Sequence, residues 1–333
     1  MNALPEERLG QLRVAKLRAL LGPRLDGTTV SDAAPFGNGA ALRTDAGLAA
    51  FLVEEAGPRS LGGALVWALR KQAQRIVLIV DADAATAGRL AREATYFSLP
   101  IEVERIVGTA SVPVAAAALP EHAAVVASPE GTEALLAAAP VDVVVEWGIT
   151  RAEVDGLEVA RVTDELGALR LEVGIGKFDR EIAAMMHANL PTAQTLQNAI
   201  DLVRRARHVG APIHPLRDLV PERWLRTIAL ATPELIGAAE LRAVDSTLAP
   251  ASLREAQPAA AIGTSLSGAP IVAVFTAGVD LDVVPHAADT RAWHDPAAEL
   301  LICAPRRNIL APVVAVADNL LAPARFVELE LPY

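Results

Sequence analysis

The sequence predicts an α/β protein made of two α/β lobes. Three observations carry that expectation. Apolar runs of strand length, among them QRIVLIVDAD (74–83), APIVAVF (269–275) and ELLICAP (299–305), alternate with stretches of helical composition. The chain has 333 residues, more than one core usually organises. Its composition is 52% hydrophobic but only 4% aromatic, so a large core is expected, built from Ala, Val, Leu and Ile. The first lobe is expected over 1–231, with a mixed sheet that includes a three-strand acidic meander. A linker is expected over 232–262, where Pro233, Pro250 and Pro258 are spread among alanines. A small parallel β-α-β-α-β sheet is expected over 263–333.

The elements follow in order. Leu9, Leu12, Leu17 and Leu20 have helical spacing and predict an N-terminal helix docked on its own domain. That segment lacks the apolar core of a secretion signal, so a cytoplasmic location is expected. The run at 74–83 reads as a strand, 84–96 as a helix and 101–107 as a second strand, a right-handed β-α-β unit. The Pro- and Ala-rich stretch 108–121 reads as a loop, and AVVAS (124–128) as a strand. A helix over 129–139 precedes three strands at 141–149, 156–162 and 168–177. Helices follow over 178–188 and 192–208. The second of these starts at Thr192, ends at Gly210 and carries Arg204, Arg205 and Arg207 in its last turn, against the negative end of its dipole. The second lobe reads as strands at 269–275, 299–305 and 325–331, with helices at 283–293 and 310–321. In each lobe an apolar strand runs into Asp-x-Asp, at Asp81/Asp83 and Asp280/Asp282. These aspartates are either ligand groups at the carboxyl end of a sheet or caps for the next helix. No longer repeat is legible.

Charge and motifs exclude several functions. The formal charge of −10 opposes long-range attraction to nucleic acid. Only a local basic patch would bind it, and Arg204, Arg205, Arg207, Arg217 and Arg223 are the candidates, with His208, His214 and Arg226 nearby in sequence. A protein partner stays open, and no membrane contact is expected. No Gly-x-Gly-x-x-Gly follows a strand, no phosphate loop ends in Gly-Lys-Ser/Thr, and no Gly-x-Ser-x-Gly elbow occurs. The six histidines and the one cysteine lack zinc-ligand spacing. Cys303 lies in an apolar strand, where a buried inert thiol is expected.

The acidic meander is the remaining chemical signal. Glu158 and Glu172 lie on its second and third strands, and Lys177 follows. Two carboxylates and an amine so placed would suit a divalent cation; an ordinary meander with charged rims has the same pattern. The order helix-strand-strand-strand-helix resembles the core of the restriction-endonuclease-like PD-(D/E)xK nucleases, over about residues 129–209. That resemblance implies Glu158 and Glu172 as ligands of Mg²⁺ or Mn²⁺, and Lys177 as the water-orienting amine. The position two after Glu172 is Gly174 where the family has lysine, and the first acid is Glu where the family has Asp. Two functions are therefore carried forward. One is a metal-dependent phosphodiesterase or nuclease-like protein, in an active or a catalytically degenerate form. The other is a non-catalytic binding or scaffold protein that uses a cleft between the lobes.

Overall fold

The computed structural model describes residues 6–165, 167–176, 180, 192–249 and 257–332. Among these are eight helices and three sheets of six, four and five strands. The helix expected over 178–188 lies outside the described residues, except for Arg180. The chain divides into two compact units that interleave in sequence.

Unit 1 comprises Met1–Leu119, Leu281–Asp289 and Leu310–Arg325. Its sheet runs in chain order: β1 (Val30–Phe36), β2 (Gly39–Thr44), β3 (Leu48–Val53), β4 (Arg75–Val80), β5 (Ile101–Val107) and β6 (Ala110–Pro113). The first two pairings are antiparallel, the next two are parallel, and β6 returns antiparallel on β5. Strand alternation decides which side chains go inward. Leu42, Ala50, Leu52, Val77 and Ile79 form one core with Leu17 and Leu21 of helix α1 (Glu6–Leu21). Phe51 meets Trp67 of helix α2 (Gly62–Arg70) edge-on at 5.3 Å. Helix α3 (Ala84–Ala94) is capped by Asp83, whose carboxylate accepts from the Thr86 amide at 2.7 Å.

Unit 2 comprises Pro120–Asp280, Thr290–Ile309 and Phe326–Tyr333. Helix α4 (Thr132–Ala138) leads into an antiparallel meander of β7 (Asp142–Glu146), β8 (Ile149–Val154), β9 (Leu157–Glu165) and β10 (Ala168–Val173). Helices α5 (Thr192–Ala206) and α6 (Pro221–Ala231) follow. The last sheet is ordered β11 (Ala238–Val244), β12 (Ala259–Ser265), β13 (Pro270–Phe275), β14 (Glu299–Ala304) and β15 (Ala324–Glu328). Helix α7 (Val283–His294) and helix α8 (Ala311–Ala317) connect its last strands.

Several expectations need correction. The meander is not part of a mixed sheet in the first lobe; it is a separate sheet of four strands. The run 141–149 breaks at Trp147-Gly148, where φ is 48° and 73°. That is the conformation of a two-residue hairpin turn, so β7 folds back as β8. A second such turn, Asp155-Gly156, has φ of 49° and 75° and joins β8 to β9. Asp-Gly is a preferred pair for this turn, and it was the signal for the strand the sequence reading missed. The last sheet is not a parallel β-α-β-α-β unit. Its β11, β12 and β13 pair antiparallel, and β13 pairs parallel with β14. The stretch 232–262 is not only a connection: it holds the short helix Pro233–Ile236, all of β11 and the start of β12, with 250–256 outside the described residues. AVVAS (124–128) has no strand; Val125 is exposed, and the Val126 amide donates to the Gly148 carbonyl. Strand β6 lies in the stretch read as a loop.

A repeat absent from the sequence reading is plain in the element order. Strands β1–β5 with α2 and α3, and strands β11–β15 with α7 and α8, follow the same plan of β-β-β-α-β-α-β. The second hairpin of each copy closes the same way. Gly47 donates to the Thr44 carbonyl, and the Thr44 hydroxyl accepts from the Leu48 amide; Gly268, Ser265 and Ala269 repeat those bonds. Both glycines have positive φ, 77° and 85°. Within unit 1 the two copies meet at equivalent positions. Phe97 bridges Leu320 antiparallel, the Ser98 amide donates to the Asn319 carbonyl, and the Leu321 amide donates to the Tyr96 carbonyl. That exchange is locally two-fold. The meander and its helices therefore lie, in chain order, between two copies of one frame.

Candidate functional site

The meander has two unlike faces. Ala152, Val154, Leu157, Ala160 and Val173 point to one side, into a core with Leu136 of α4 and with Leu196, Ile200 and Val203 of α5. The other face carries charge. Paired residues of neighbouring strands share a face, so Arg151, Arg161 and Glu172 lie together. Simple alternation would turn Glu158 away from them. A bulge prevents this: Ala152 pairs with Ala160 but Glu153 pairs with Glu158, so Val159 is the extra residue. The one-residue shift returns Glu158 to the face of Glu153 and Glu172.

Two further elements bring arginines to this face. Arg223 and Arg226 project from α6, while its Trp224, Leu225 and Ala229 enter a core with β11–β14. Arg180 follows β10 and is buried. The result is a lattice of charge removed from water. Glu146 pairs with Arg151 and Arg223, each at 2.9 Å, and with Arg226. Glu153 pairs with Arg223 at 2.8 Å and Arg226 at 3.1 Å. Glu158 pairs with Arg180 at 2.8 Å and Arg151 at 3.0 Å, with Arg161 at 3.7 Å. Glu172 meets Arg180 at 3.4 Å and is the most exposed of the four carboxylates, with 30% of its side chain in solvent. Arg226 has no exposed surface.

The energetics follow from the pairing. Burial pushes the Glu146 carboxyl up, but Arg226, Arg223 and Arg151 together hold it down at about 2. Glu153 moves the other way: burial raises it, Arg226 and Arg223 oppose, and Glu146 and Glu158 add to the rise. A lattice of this kind is expensive to desolvate and holds together because each carboxylate is paired with guanidiniums, with hydrogen bonds to Glu146, Glu153 and Glu158.

Of the residues expected at a site, Glu158 and Glu172 share Arg180, and Lys177 lies outside the described residues. Gly174 has φ of 141°, and a Cβ there would sit 3.0 Å from the Arg180 amide nitrogen. The close passage of the Arg180 backbone accounts for glycine at this position. The sequence reading did not find Arg151, Glu153, Arg161 or Arg180. For the first three, alternation with apolar residues along β8 and β9 was the available sign.

The basic patch is largely consumed by structure. Arg223 belongs to the lattice. Arg207 is buried, donates to the carbonyls of Asp155, Leu216 and Leu219, and stacks over Trp224 at 4.9 Å. Arg217 donates to the Ala211 carbonyl at 3.0 Å, and Arg204 to the Pro140 carbonyl at 3.1 Å. Arg205 is exposed. In unit 1, Asp282 accepts from the amides of Leu61 and Gly62, at 3.0 and 2.7 Å, where α2 begins. Cys303 is buried in β14. No helix among the described residues is long and apolar enough to cross a membrane. Among the described residues no group of three or more His, Cys, Asp and Glu side chains is arranged to hold a metal ion. Compared with protein-family models, with curated proteins and with solved structures, the chain matches none.

Proposed function

We propose that this chain is a non-catalytic binding or scaffold protein, in which the meander is an internally braced insert between two copies of an α/β frame. One observation carries the reading: the acidic side chains best placed for chemistry are bound to arginine. A hard divalent cation takes carboxylate oxygens that are free to turn toward it. Here Glu146, Glu153 and Glu158 each pair with at least two guanidiniums, and five arginines stand against four glutamates. Seating Mg²⁺ or Mn²⁺ between Glu158 and Glu172 would displace Arg180 and leave its buried cation unpaired, a cost of several kcal/mol by the usual measure, on the order of 3–5. The donor set does not fit the metal.

The test is calorimetric titration of Mn²⁺ into the full chain and into Glu172→Gln, with the melting temperature followed in parallel. The expected result is no saturable heat and no shift in melting temperature at millimolar Mn²⁺ in either protein. Stoichiometric binding by the wild type that disappears in Glu172→Gln would overturn the reading and restore the metal-dependent phosphodiesterase.

A further inference from the structure

The lattice is not closed at its outer end, on β9 and β10. Ala160, Leu171 and Val173 pack into the core, so the cross-strand pairs Arg161 with Glu172 and Thr163 with Arg170 project from the charged face. Arg161 stands opposite Glu172, yet its ion pair is with Glu158, at 3.7 Å, too long for a hydrogen bond. Three donors here are shut off from water and have no acceptor: Arg161 Nε, Thr163 Oγ1 and Arg180 Nε. Arg180 is buried and donates through Nη1 to Glu158 at 2.8 Å, but its Nε lies 3.4 Å from Glu172 and makes no hydrogen bond there. Arg170 is exposed and, among the described residues, forms no ion pair. Buried donors ordinarily find acceptors, so three orphans beside an unpaired guanidinium ask for a ligand rich in oxygen.

We propose that the outer end of the lattice binds a small tetrahedral oxyanion, phosphate or a phosphate monoester, held by Arg161, Arg170 and the Thr163 hydroxyl beside the buried charge of Arg180. This rests on the reading of the meander as a guanidinium-held binding element that takes no metal. The donor types select the ligand. A guanidinium offers parallel N–H groups that match two oxygens of a phosphate, and a hydroxyl supplies a further bond. The same groups repel a cation. The formal charge of −10 opposes a polyanion such as nucleic acid, so a small ligand fits better. The field at Arg180 agrees with this assignment. Burial pushes its guanidinium below the ordinary value, and Arg161 and Arg151 add to the fall more than Glu158 and Glu172 can offset. A bound anion would relieve that imbalance. Glu172 lies on the same face and opposes the anion, which gives the site a signature that a metal site lacks.

Calorimetric titration of inorganic phosphate, and separately of phenyl phosphate, into the full chain tests this, with EDTA present and ionic strength held constant with chloride. Saturable binding is expected, with a dissociation constant on the order of 1 mM or tighter. The Nε–Hε resonances of Arg161 and Arg180 should shift along the same isotherm. Whichever probe binds more tightly tells a monoester from free phosphate, and either supports the site. Arg170→Gln changes an exposed side chain and Thr163→Val keeps the shape of the threonine, so both should fold; each should weaken binding about tenfold. Glu172→Gln should strengthen it, because a repelling charge is gone. No saturable heat up to about 20 mM phosphate, or binding that Arg170→Gln and Thr163→Val leave unchanged, would mean an adventitious ion only. Either result overturns the site and leaves the scaffold reading standing. Phosphate binding that requires Mn²⁺ and disappears in Glu172→Gln overturns both, since the metal would then hold the phosphate.

Discussion

Glu146 and Glu93 are nearly equal in burial, at 2% and 1% exposed, yet their carboxyls move in opposite directions, to about 2 and to about 8. Desolvation pushes both toward the neutral acid. What differs is the company. Glu146 sits under Arg151, Arg223 and Arg226 in a lattice where arginines outnumber glutamates. Glu93 shares Arg89 with Asp289, and Asp282 lies in the same field. The whole set of charges around a buried carboxylate decides the direction against desolvation: Glu153, with two arginines but two glutamates beside it, is raised.

The comparison is most easily broken at Arg226. Arg226→Met removes an arginine that is fully buried and touches both Glu146 and Glu153. Leaving those carboxylates short of a partner should cost about 3–5 kcal/mol, read from denaturant unfolding. A loss under 1 kcal/mol would mean that the other arginines close over the gap.

The next effect is the acid arm of stability. Glu146 is depressed in the folded chain, so its contribution is complete above its ordinary value of 4.5 and is lost as pH falls toward 2. That arm should amount to about 3 kcal/mol, given about 1.4 kcal/mol per pKa unit. The unfolding midpoint measured from pH 6 to 2 should fall more steeply in the wild type than in Glu146→Gln. Equal slopes would show that other carboxylates dominate acid unfolding.

Gly156 tests how closely α6 must approach to deliver its arginines. Its φ is +75°, and a Cβ would lie 2.4 Å from the carbonyl carbon of Arg223. Gly156→Ala should cost about 2 kcal/mol or more, through strain in the turn and displacement of α6. Thermal unfolding checks it. The smallest effect belongs to Glu172→Gln. That side chain is 30% exposed and makes one contact with Arg180 at 3.4 Å, so the loss should stay below about 1 kcal/mol. This makes it a clean variant for the Mn²⁺ titration, because its fold should be intact.

The sequence by itself determined the α/β class and the position of most elements. Strands at 75–80, 101–107, 270–275 and 299–304, and helices at 84–94, 192–206 and 283–294, are where periodicity and caps put them. These signals are local: an apolar run, a helical face, an Asp before a helix. Trp147-Gly148 and Asp155-Gly156 were local too, and Asp155-Gly156 carried the missing strand in its turn chemistry. The pairing of sheets was a different matter. Nothing in residues 141–173 states that the meander stands apart from the sheet of 75–107, because strand partners are chosen by contacts across the fold. The repeat was hidden for the same reason, since its copies share element order and turn bonds rather than side chains. The lattice was hardest of all. Whether Glu158 and Glu172 face a metal or an arginine depends on one extra residue at Val159, on Arg180 passing over Gly174, and on α6 carrying Arg223 and Arg226 across the chain. Glutamate on a strand reads the same in every case. Only tertiary structure supplies the counter-charge, and with buried charge the counter-charge decides the chemistry.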